Sequence, residues 1–258
     1  MSHRWLPKVS CVCLTYNRYP DKGKLLEEAL QSFVLQDYPR KYLELIVLND
    51  CPQQEIVLGP ALDGVKVLNA PSRFASLGEK YNAAIALATG DFIMPWEDDD
   101  ISLPWRVSQA VAMLGESDYW KPPQVVFSVH GGTIRTDHTV GVRHHAGVFR
   151  KSAWKRVGGY PHTSGNQDML FDARLEAQCS VSHPRPSPTP WLVMPPSQWA
   201  YVYRWGVSNA HLSGAPNPEE FYGKVGRMPV YPGRFSLWPK WQTDYVALVK
   251  AVVQREFL

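Results

Sequence analysis

The chain has 258 residues, 45% of them hydrophobic and 20% charged, with a net charge of +3. That length and apolar content suit one domain with a substantial core and exclude a disordered chain. A charge this small gives no ground by itself for a nucleic-acid or membrane partner. The 10 Trp and 22 Pro are in excess and point to aromatic-lined surfaces and long irregular segments.

No stretch reaches the roughly 20 apolar residues that span a bilayer, and MSHRWLPKVS lacks the apolar core of a signal peptide. Cys11, Cys13, Cys51 and Cys179 show neither zinc-type pairing nor a disulfide framework, so a reduced, cytoplasmic setting is expected. Cys11 and Cys13 are expected on one face of one strand.

In chain order, KVSCVCLT (residues 8–15) reads as a buried strand, and the turn-rich YNRYPDKG follows it. Leu25, Leu26, Ala29, Leu30, Phe33 and Val34 recur at helical spacing until Tyr38-Pro39. LELIVL (43–48) is a second strand ending at Asn49-Asp50-Cys51-Pro52, and Val65 to Leu68 is a third. A helix is expected over 77–88, stopped by Thr89-Gly90, and DFIMPW (91–96) is a fourth strand running into Glu97-Asp98-Asp99-Asp100. This alternation predicts an α/β fold with a mainly parallel sheet, in which ligands bind beyond the carboxyl ends of the strands. Tyr16 to Arg18, Asn49-Asp50 and Glu97 to Asp100 all fall at such ends.

The second half predicts strands at Val125 to Val129 and Gly132 to Val142, with a turn at TDHT. A short helix after Gly147 to Arg150 is expected to be capped by Ser152 and stopped by Gly158-Gly159. Helices follow at about 167–177 and at 243–257. Eleven of the 22 prolines lie between residues 181 and 240, which predicts a long ordered loop on the sheet edge.

Four consecutive carboxylates at a strand end repel one another unless a cation or hydrogen-bond donors neutralise them. Mg²⁺ or Mn²⁺ suits such oxygen ligands, with Asp99 the first candidate. The plainer alternative is an acidic turn in which Asp100 or Ser102 caps a helix beginning near Pro104. Asp168, at the start of the helix in SGNQDMLFDARL (164–175), reads as a helix cap or dipole partner. Asp172 is expected to pair with Arg174 or solvent.

Taken together, these segments resemble a family 2 glycosyltransferase. The resemblance rests on TYNR (15–18), LQDYP (35–39), LND (48–50), SRFASLGEKYNAAIALATGDFIMPWEDDDISLP (72–104) and AGVFRKSAWKRVGGY (146–160), in that order. It covers about residues 8 to 176 and extends loosely to YRWGVSNAHLSG (203–214). It implies a single GT-A (Rossmann-like) domain whose mainly parallel central sheet is flanked by helices, with an irregular Pro/Trp-rich C-terminal extension. A nucleotide-sugar-binding half is expected over residues 1–120, an acceptor and catalytic half over 121–215, and the extension with its helix over 216–258.

What the resemblance implies for function follows residue by residue. The chain would move a sugar from a nucleotide-diphosphate sugar, a UDP-sugar being favoured, to an acceptor hydroxyl with inversion, in glycan biosynthesis. Thr15, Tyr16, Asn17 and Arg18 would line the nucleotide pocket. Asp50 would bind the base edge, Arg73 and Lys80 would lie near base or diphosphate, and Asn82 would shape the pocket. Asp98 would approach the ribose or sugar. Asp99 would hold Mg²⁺ or Mn²⁺, with Glu97 and His211 as further candidate ligands. Glu97 stands where the family has the first aspartate of its aspartate-x-aspartate motif, and Asn49 stands where an acid is common. Asp168 would be the catalytic base, preceded by Gln167 in place of the usual acid.

Ordinary readings stand beside these. Lys80 has the ordinary reading of a solvated helix residue, and Arg73 that of a structural partner of a carboxylate. His144-His145, before Gly147, could sit near the acceptor, with a polar surface pair the ordinary reading because no third ligand is spaced for zinc. Trp96, Trp154, Trp199 and Trp205 are candidate sugar platforms, with core or loop packing the default. Residues 121–160 carry seven basic side chains and one acidic one, a patch that could meet an anionic acceptor or give peripheral membrane contact, with a solvated face the default. The acceptor class is left open, and a nucleic acid acceptor is not indicated. The C-terminal helix is expected to close the core rather than to pair with a second copy or rest on a bilayer. Rival classes are a nucleotidyltransferase, whose Gly-rich phosphate loop TYNRYPDKG does not match, and a non-catalytic sugar-nucleotide or carbohydrate-binding module.

Overall fold

The structure, a computed structural model, describes residues 6–122, 126–130, 133–137, 144–182, 199–204 and 217–257. The principal sheet has the order β4-β2-β1-β5-β10-β7. Its elements are β1 (Val9–Thr15), β2 (Leu43–Asn49), β4 (Val65–Asn69), β5 (Phe92–Pro95), β7 (Tyr119–Trp120) and β10 (Val148–Arg150). The first four run parallel, whereas β10 is antiparallel to both β5 and β7.

The expected strand–helix alternation is present because the sheet is covered on both faces, which makes its strands read as nearly unbroken apolar runs. On one face Val9, Cys11, Cys13, Leu45 and Val47 pack under α1 (Gly23–Val34) and α3 (Arg106–Leu114). On the other, Val12, Ile46, Leu48 and Ile93 pack under α2 (Leu77–Leu87), α4 (Lys151–Arg156) and α5 (Gln167–Gln178). Cys11 and Cys13 share one face, as their spacing requires. The register pairs Thr15 with Asn49 and Asn49 with Asn69. The strand ends are therefore level, and Tyr16, Asp50 and Ala70 leave the sheet side by side.

Several local expectations change. A strand at Gln54–Leu58 (β3), directly after Cys51-Pro52, pairs with Gly233–Leu237 (β12), far away in sequence. Helix α1 ends at Val34, ahead of Tyr38-Pro39. Neither Asp100 nor Ser102 caps α3, whose N-cap position is Trp105 with no side-chain bond. Asp100 instead accepts from the Tyr201 hydroxyl at 2.5 Å and from the Arg204 amide at 2.7 Å. Ser152 lies inside α4 and does not precede it. The strands Val126–His130 (β8) and Thr133–Asp137 (β9) pair His130 with Thr133, so the reversal comes before TDHT. The part of that segment over 138–142 lies outside the described residues.

The Pro-rich stretch after residue 180 contains three elements among the described residues: Tyr201–Arg204 (β11), Pro218–Val225 (α6) and β12. A second sheet, β6-β11-β8-β9, includes the short β6 (Ile101–Ser102). The C-terminal helix, Tyr245–Phe257 (α7), closes a third core against it. Tyr245, Val249 and Val252 are buried with Ile101, Leu103, Trp199 and Val202, while Leu248 is exposed.

The tie between this unit and the main sheet is the buried Glu28 of α1. Its carboxylate pairs with Arg204 Nη1 at 2.5 Å and accepts from the Gln242 amide at 2.9 Å and the Tyr245 hydroxyl at 3.1 Å. Removing one partner leaves a buried guanidinium uncompensated. Glu28→Ala is therefore expected to destabilise by about 3–5 kcal/mol in urea unfolding. Lys66→Ala, which breaks a pair that is half exposed on the lysine side, is expected to change stability by less than about 1 kcal/mol.

Candidate active site

Beyond the carboxyl ends of β1, β2 and β5 lies one solvent-open cleft. Thr15, Tyr16, Arg18, Asp50, Arg73, Lys80, Glu97, Asp98, Asp99 and Asp168 all contribute to its lining. Asn17 and Asn82 stand outside that lining. Asn17 has a positive φ of 49°, which asparagine tolerates. It donates from Nδ2 to the Pro229 carbonyl at 3.1 Å and accepts from Gln54 at 3.2 Å. Asn82 clamps α2 to the segment after α4. Its Oδ1 accepts from Trp154 Nε1 and the Tyr160 amide, and its Nδ2 donates to the Tyr160 carbonyl. Asn49, fully buried, holds the turn after β2 by donating to the Gln54 carbonyl and accepting from the Cys51 amide. His211 and Trp205 lie outside the described residues.

At the acidic end, Asp98 and Asp99 share one guanidinium and Glu97 has only a hydroxyl. Arg18 donates from Nε to Asp98 Oδ2 at 2.7 Å, from Nη2 to Asp98 Oδ1, and from Nη2 to Asp99 Oδ2 at 3.0 Å. Glu97 Oε1 accepts from the Tyr81 hydroxyl at 2.8 Å. Burial, with the negative charges of Asp99 and Asp100 behind it, pushes the Glu97 carboxyl up to about 8. Burial likewise pushes Asp100 up to about 7. This corner is short of positive charge.

At the opposite end, Lys80 is buried, donating to Asp50 Oδ1 at 2.5 Å and to the Thr15 carbonyl at 2.7 Å. Lys80 is thus an internal cation, not a solvated helix residue. Asp50 also accepts from the Phe74 amide at 3.1 Å. Arg73 has its guanidinium over the Tyr16 ring at 4.3 Å and over the Tyr222 ring at 4.0 Å, so its partners are aromatic rather than a carboxylate. Among the described residues, Thr15 Oγ1, Arg73 Nε and Gln167 Oε1 belong to the lining, are buried and have no hydrogen-bond partner. Buried polar groups are rarely left so.

Asp168 stands in the first turn of α5, after Asn166 in left-handed conformation at φ 60°. Its Oδ1 accepts from the Met169 amide at 2.9 Å. The helix is fixed by a ring stack. Tyr160 lies between Tyr81 at 4.7 Å and Phe171 at 4.0 Å, measured between ring centroids.

Sequence reasoning missed a buried network under this helix. His144 is 3% exposed, so it is not a surface residue. Its Nδ1 lies 2.5 Å from Asp172 Oδ1, and its Nε2 bonds the Tyr160 hydroxyl. Asp172 also accepts from Tyr119 at 2.5 Å and Lys121 at 2.9 Å, whereas Arg174 turns away to the Gly159 carbonyl. The readable signal was Asp172's place beside Gln167, Phe171 and Leu175, whose four-residue spacing marks the buried face of α5. His145, Tyr203, Tyr222 and Val225 also line the cleft, and no local motif singles out the last two. Trp96 and Trp199 are each 1% exposed, and Trp154 serves Asn82. No tryptophan lines the cleft among the described residues.

The sequence pattern of the glycosyl transferase family 2 matches residues 10–171, more than half of the chain. The chain belongs to glycosyltransferase family 2. YwdF of Bacillus subtilis (strain 168), an uncharacterized glycosyltransferase, is 30% identical over 115 residues, which are 43% of this chain and 40% of YwdF. The chain thus spans about two fifths of that relative's length. Among solved structures, S. aureus TarS 1–349 in complex with UDP-GlcNAc superposes with a TM-score of 0.60 at 19% identity, covering 84% of this chain and 64% of that one. The mannosyltransferase PcManGT from Pyrobaculum calidifontis, in complex with GDP-Man and Mn²⁺, gives 0.51 at 16% identity over 71% of this chain and 56% of that one. The fold is therefore the GT-A fold expected for this family, a mostly parallel central sheet with flanking helices. No helix among the described residues is long and apolar enough to cross a membrane.

The Asp172 network gives this family member a pH signature. Burial raises the Asp172 carboxyl, but His144, Lys121 and Tyr119 outweigh burial and hold it at about 2, below its ordinary 3.8. A depressed folded-state pKa contributes stability that is present above the unfolded value and lost as pH falls through the folded one. Asp172→Asn is expected to lie furthest below wild type above about pH 4, with the gap closing by roughly 2 kcal/mol toward pH 2 in urea unfolding. A gap independent of pH would contradict the ionised network.

Proposed function

We propose that the chain transfers a sugar from a nucleotide-diphosphate sugar, a UDP-sugar being favoured, to an acceptor hydroxyl with inversion at the anomeric carbon. One observation carries this reading: a single cleft is lined by the polar ends of three parallel strands and by Asp168 from α5. It has an aromatic and basic end at Tyr16, Arg73 and Lys80 and an acidic end at Glu97 to Asp99. The three unpartnered buried atoms in its lining support a polar ligand there.

In this reading Tyr16 and Arg73 offer flat surfaces to the base, and Asp50 offers a carboxylate to its edge. Asp50 is held for that task by Lys80 and the Phe74 amide. Asp98 lies near the ribose or sugar. Asp168 takes the proton from the acceptor hydroxyl as its oxygen attacks the anomeric carbon from the side opposite the phosphate, so one displacement inverts the configuration. The C–O bond to phosphate breaks, and the nucleoside diphosphate leaves with the electron pair.

The acidic end offers carboxylate oxygens from Glu97 and Asp99, with Arg18 as the cation that Asp98 and Asp99 share, and such oxygens would suit Mg²⁺ or Mn²⁺. Among the described residues no three candidate ligands are gathered as a ready metal cage. The fit is therefore to an ion held by Asp99, with Glu97 and His211 as further candidates, and by the donor's own phosphates. Such an ion would supply positive charge for the leaving diphosphate. The acceptor is proposed as a hydroxyl compound of unassigned class.

The test is transfer and donor hydrolysis over a panel of nucleotide-diphosphate sugars, with thermal shift measured with and without Mn²⁺. Asp168→Asn is expected to lose about 10²–10⁴ in kcat while the nucleotide still binds. Asp99→Ala is expected to lose the metal-dependent stabilisation by donor. Variants that both turn over like wild type would sink the catalytic reading, and binding without turnover by wild type would favour a non-catalytic module.

A further inference from the structure

Helix α6 lies outside the stretch that matches the family, residues 10–171. Its first turn is fixed by Asn217, whose side chain accepts from the Glu220 amide at 3.3 Å, and by a proline at the start. From that turn Glu219 reaches the segment leading into α5. Its Oε1 accepts from the Ser164 amide at 2.6 Å, the Gly165 amide at 3.0 Å and the Thr163 hydroxyl. Burial raises the Glu219 carboxyl, but these donors outweigh it and hold the group below its ordinary range, as an anion.

The same segment is gripped from the other side by the start of α2. The Gly78 amide donates to the Thr163 carbonyl at 3.1 Å, and the Leu77 amide donates to Ser164 Oγ at 3.1 Å. A Cβ at Gly78 would run into the Pro161 carbonyl oxygen, so only glycine allows this approach. Asp168 follows Gly165 by three residues, and its position depends on where this clamp holds the chain.

Three residues beyond Glu219, on the same face of α6, Tyr222 stacks on Arg73, with its hydroxyl donating to the Phe74 carbonyl at 3.2 Å. Gly226, just past the helix, lies against the Arg73 guanidinium so closely that a Cβ would strike Nη1. One helix face thus touches both ends of the cleft: the Tyr16–Arg73 end through Tyr222, and the approach to Asp168 through Glu219.

We infer that α6 is a strap with two tasks. Glu219 is a positioning residue that sets Asp168 against the acceptor, and Tyr222 is a donor-specificity residue that walls the Arg73 end against the nucleotide's flat base. This rests on the reading of Asp168 as base and of Tyr16 and Arg73 as the nucleotide end.

The test separates kcat from affinity in the full chain. Glu219→Ala is expected to lower kcat tenfold to a hundredfold while the Kd for UDP stays within about twofold, and Glu219→Gln, which keeps an acceptor oxygen, is expected to recover most of the rate. Tyr222→Ala is expected to weaken UDP about tenfold. Lys224→Ala, in the exposed pair with Glu220, is the control and is expected to match wild type. The strap is overturned if Glu219→Ala keeps the wild-type kcat, if Glu219→Gln fails to exceed it, or if the Glu219 and Tyr222 variants change kcat and Kd in the same proportion. Amide hydrogen exchange at Ser164 and Gly165 distinguishes this failure from failure of the glycosyl-transfer reading. Faster exchange in Glu219→Ala, without any ligand, upholds the clamp whatever wild type catalyses, and unchanged exchange refutes it.

Discussion

Four carboxylates in a row at the end of a central strand set a problem that no single neighbour solves. The four stand at the turn that follows β5, and three parts of the molecule answer them. Glu97 takes the Tyr81 hydroxyl from α2, Asp98 and Asp99 share Arg18 from the loop after β1, and Asp100 takes Tyr201 and Arg204 from β11. The answer at Asp100 draws in the rest of the C-terminal unit. Arg204 is itself paired with Glu28, which holds Tyr245 and the Gln242 amide. The site's charge and the fold's closure are one network.

That network explains what was legible in the sequence. The parallel core was readable because burial on both faces leaves uninterrupted apolar runs, as in VSCVCLT and LELIVLN. The strand-end clusters were readable because in such a sheet the carboxyl ends face one edge. The partners were not. Lys80 looks like any lysine in a helix until Asp50 closes on it, and Asp172 looks solvated until His144 and Lys121 arrive from earlier in the chain. β3 was hidden because its register depends on β12, which no local pattern announces.

The basic run over 121–160 shows the same dependence on remote partners. Lys121 pairs with Asp172 and Glu176, Arg150 donates to the carbonyls of Ser117 and Gly115, Lys151 donates to that of Ala88, and Arg156 pairs with Asp118. Four of the seven charges are thus engaged within the fold, which removes most of the support for a free cationic docking face. The Trp excess divides in a similar way. Trp96 donates to the Ala29 carbonyl in the core and Trp105 to that of Trp199. The aromatic walls of the cleft are instead tyrosines 16, 81, 203 and 222.

Two of those tyrosines come from beyond the stretch that matches the family. The C-terminal segment is therefore part of the cleft's construction and not an appendage to it. Tyr203 sits on β11, one residue from the arginine that answers Asp100. Tyr222 sits on a helix whose other contact is the approach to Asp168. These later elements wall the cleft and are tied to the matching stretch at several points. Arg204 answers Asp100 and Glu28, Tyr222 stacks on Arg73, and Glu219 holds the segment before Asp168, so a change in any of them reaches the cleft wall through one of these contacts.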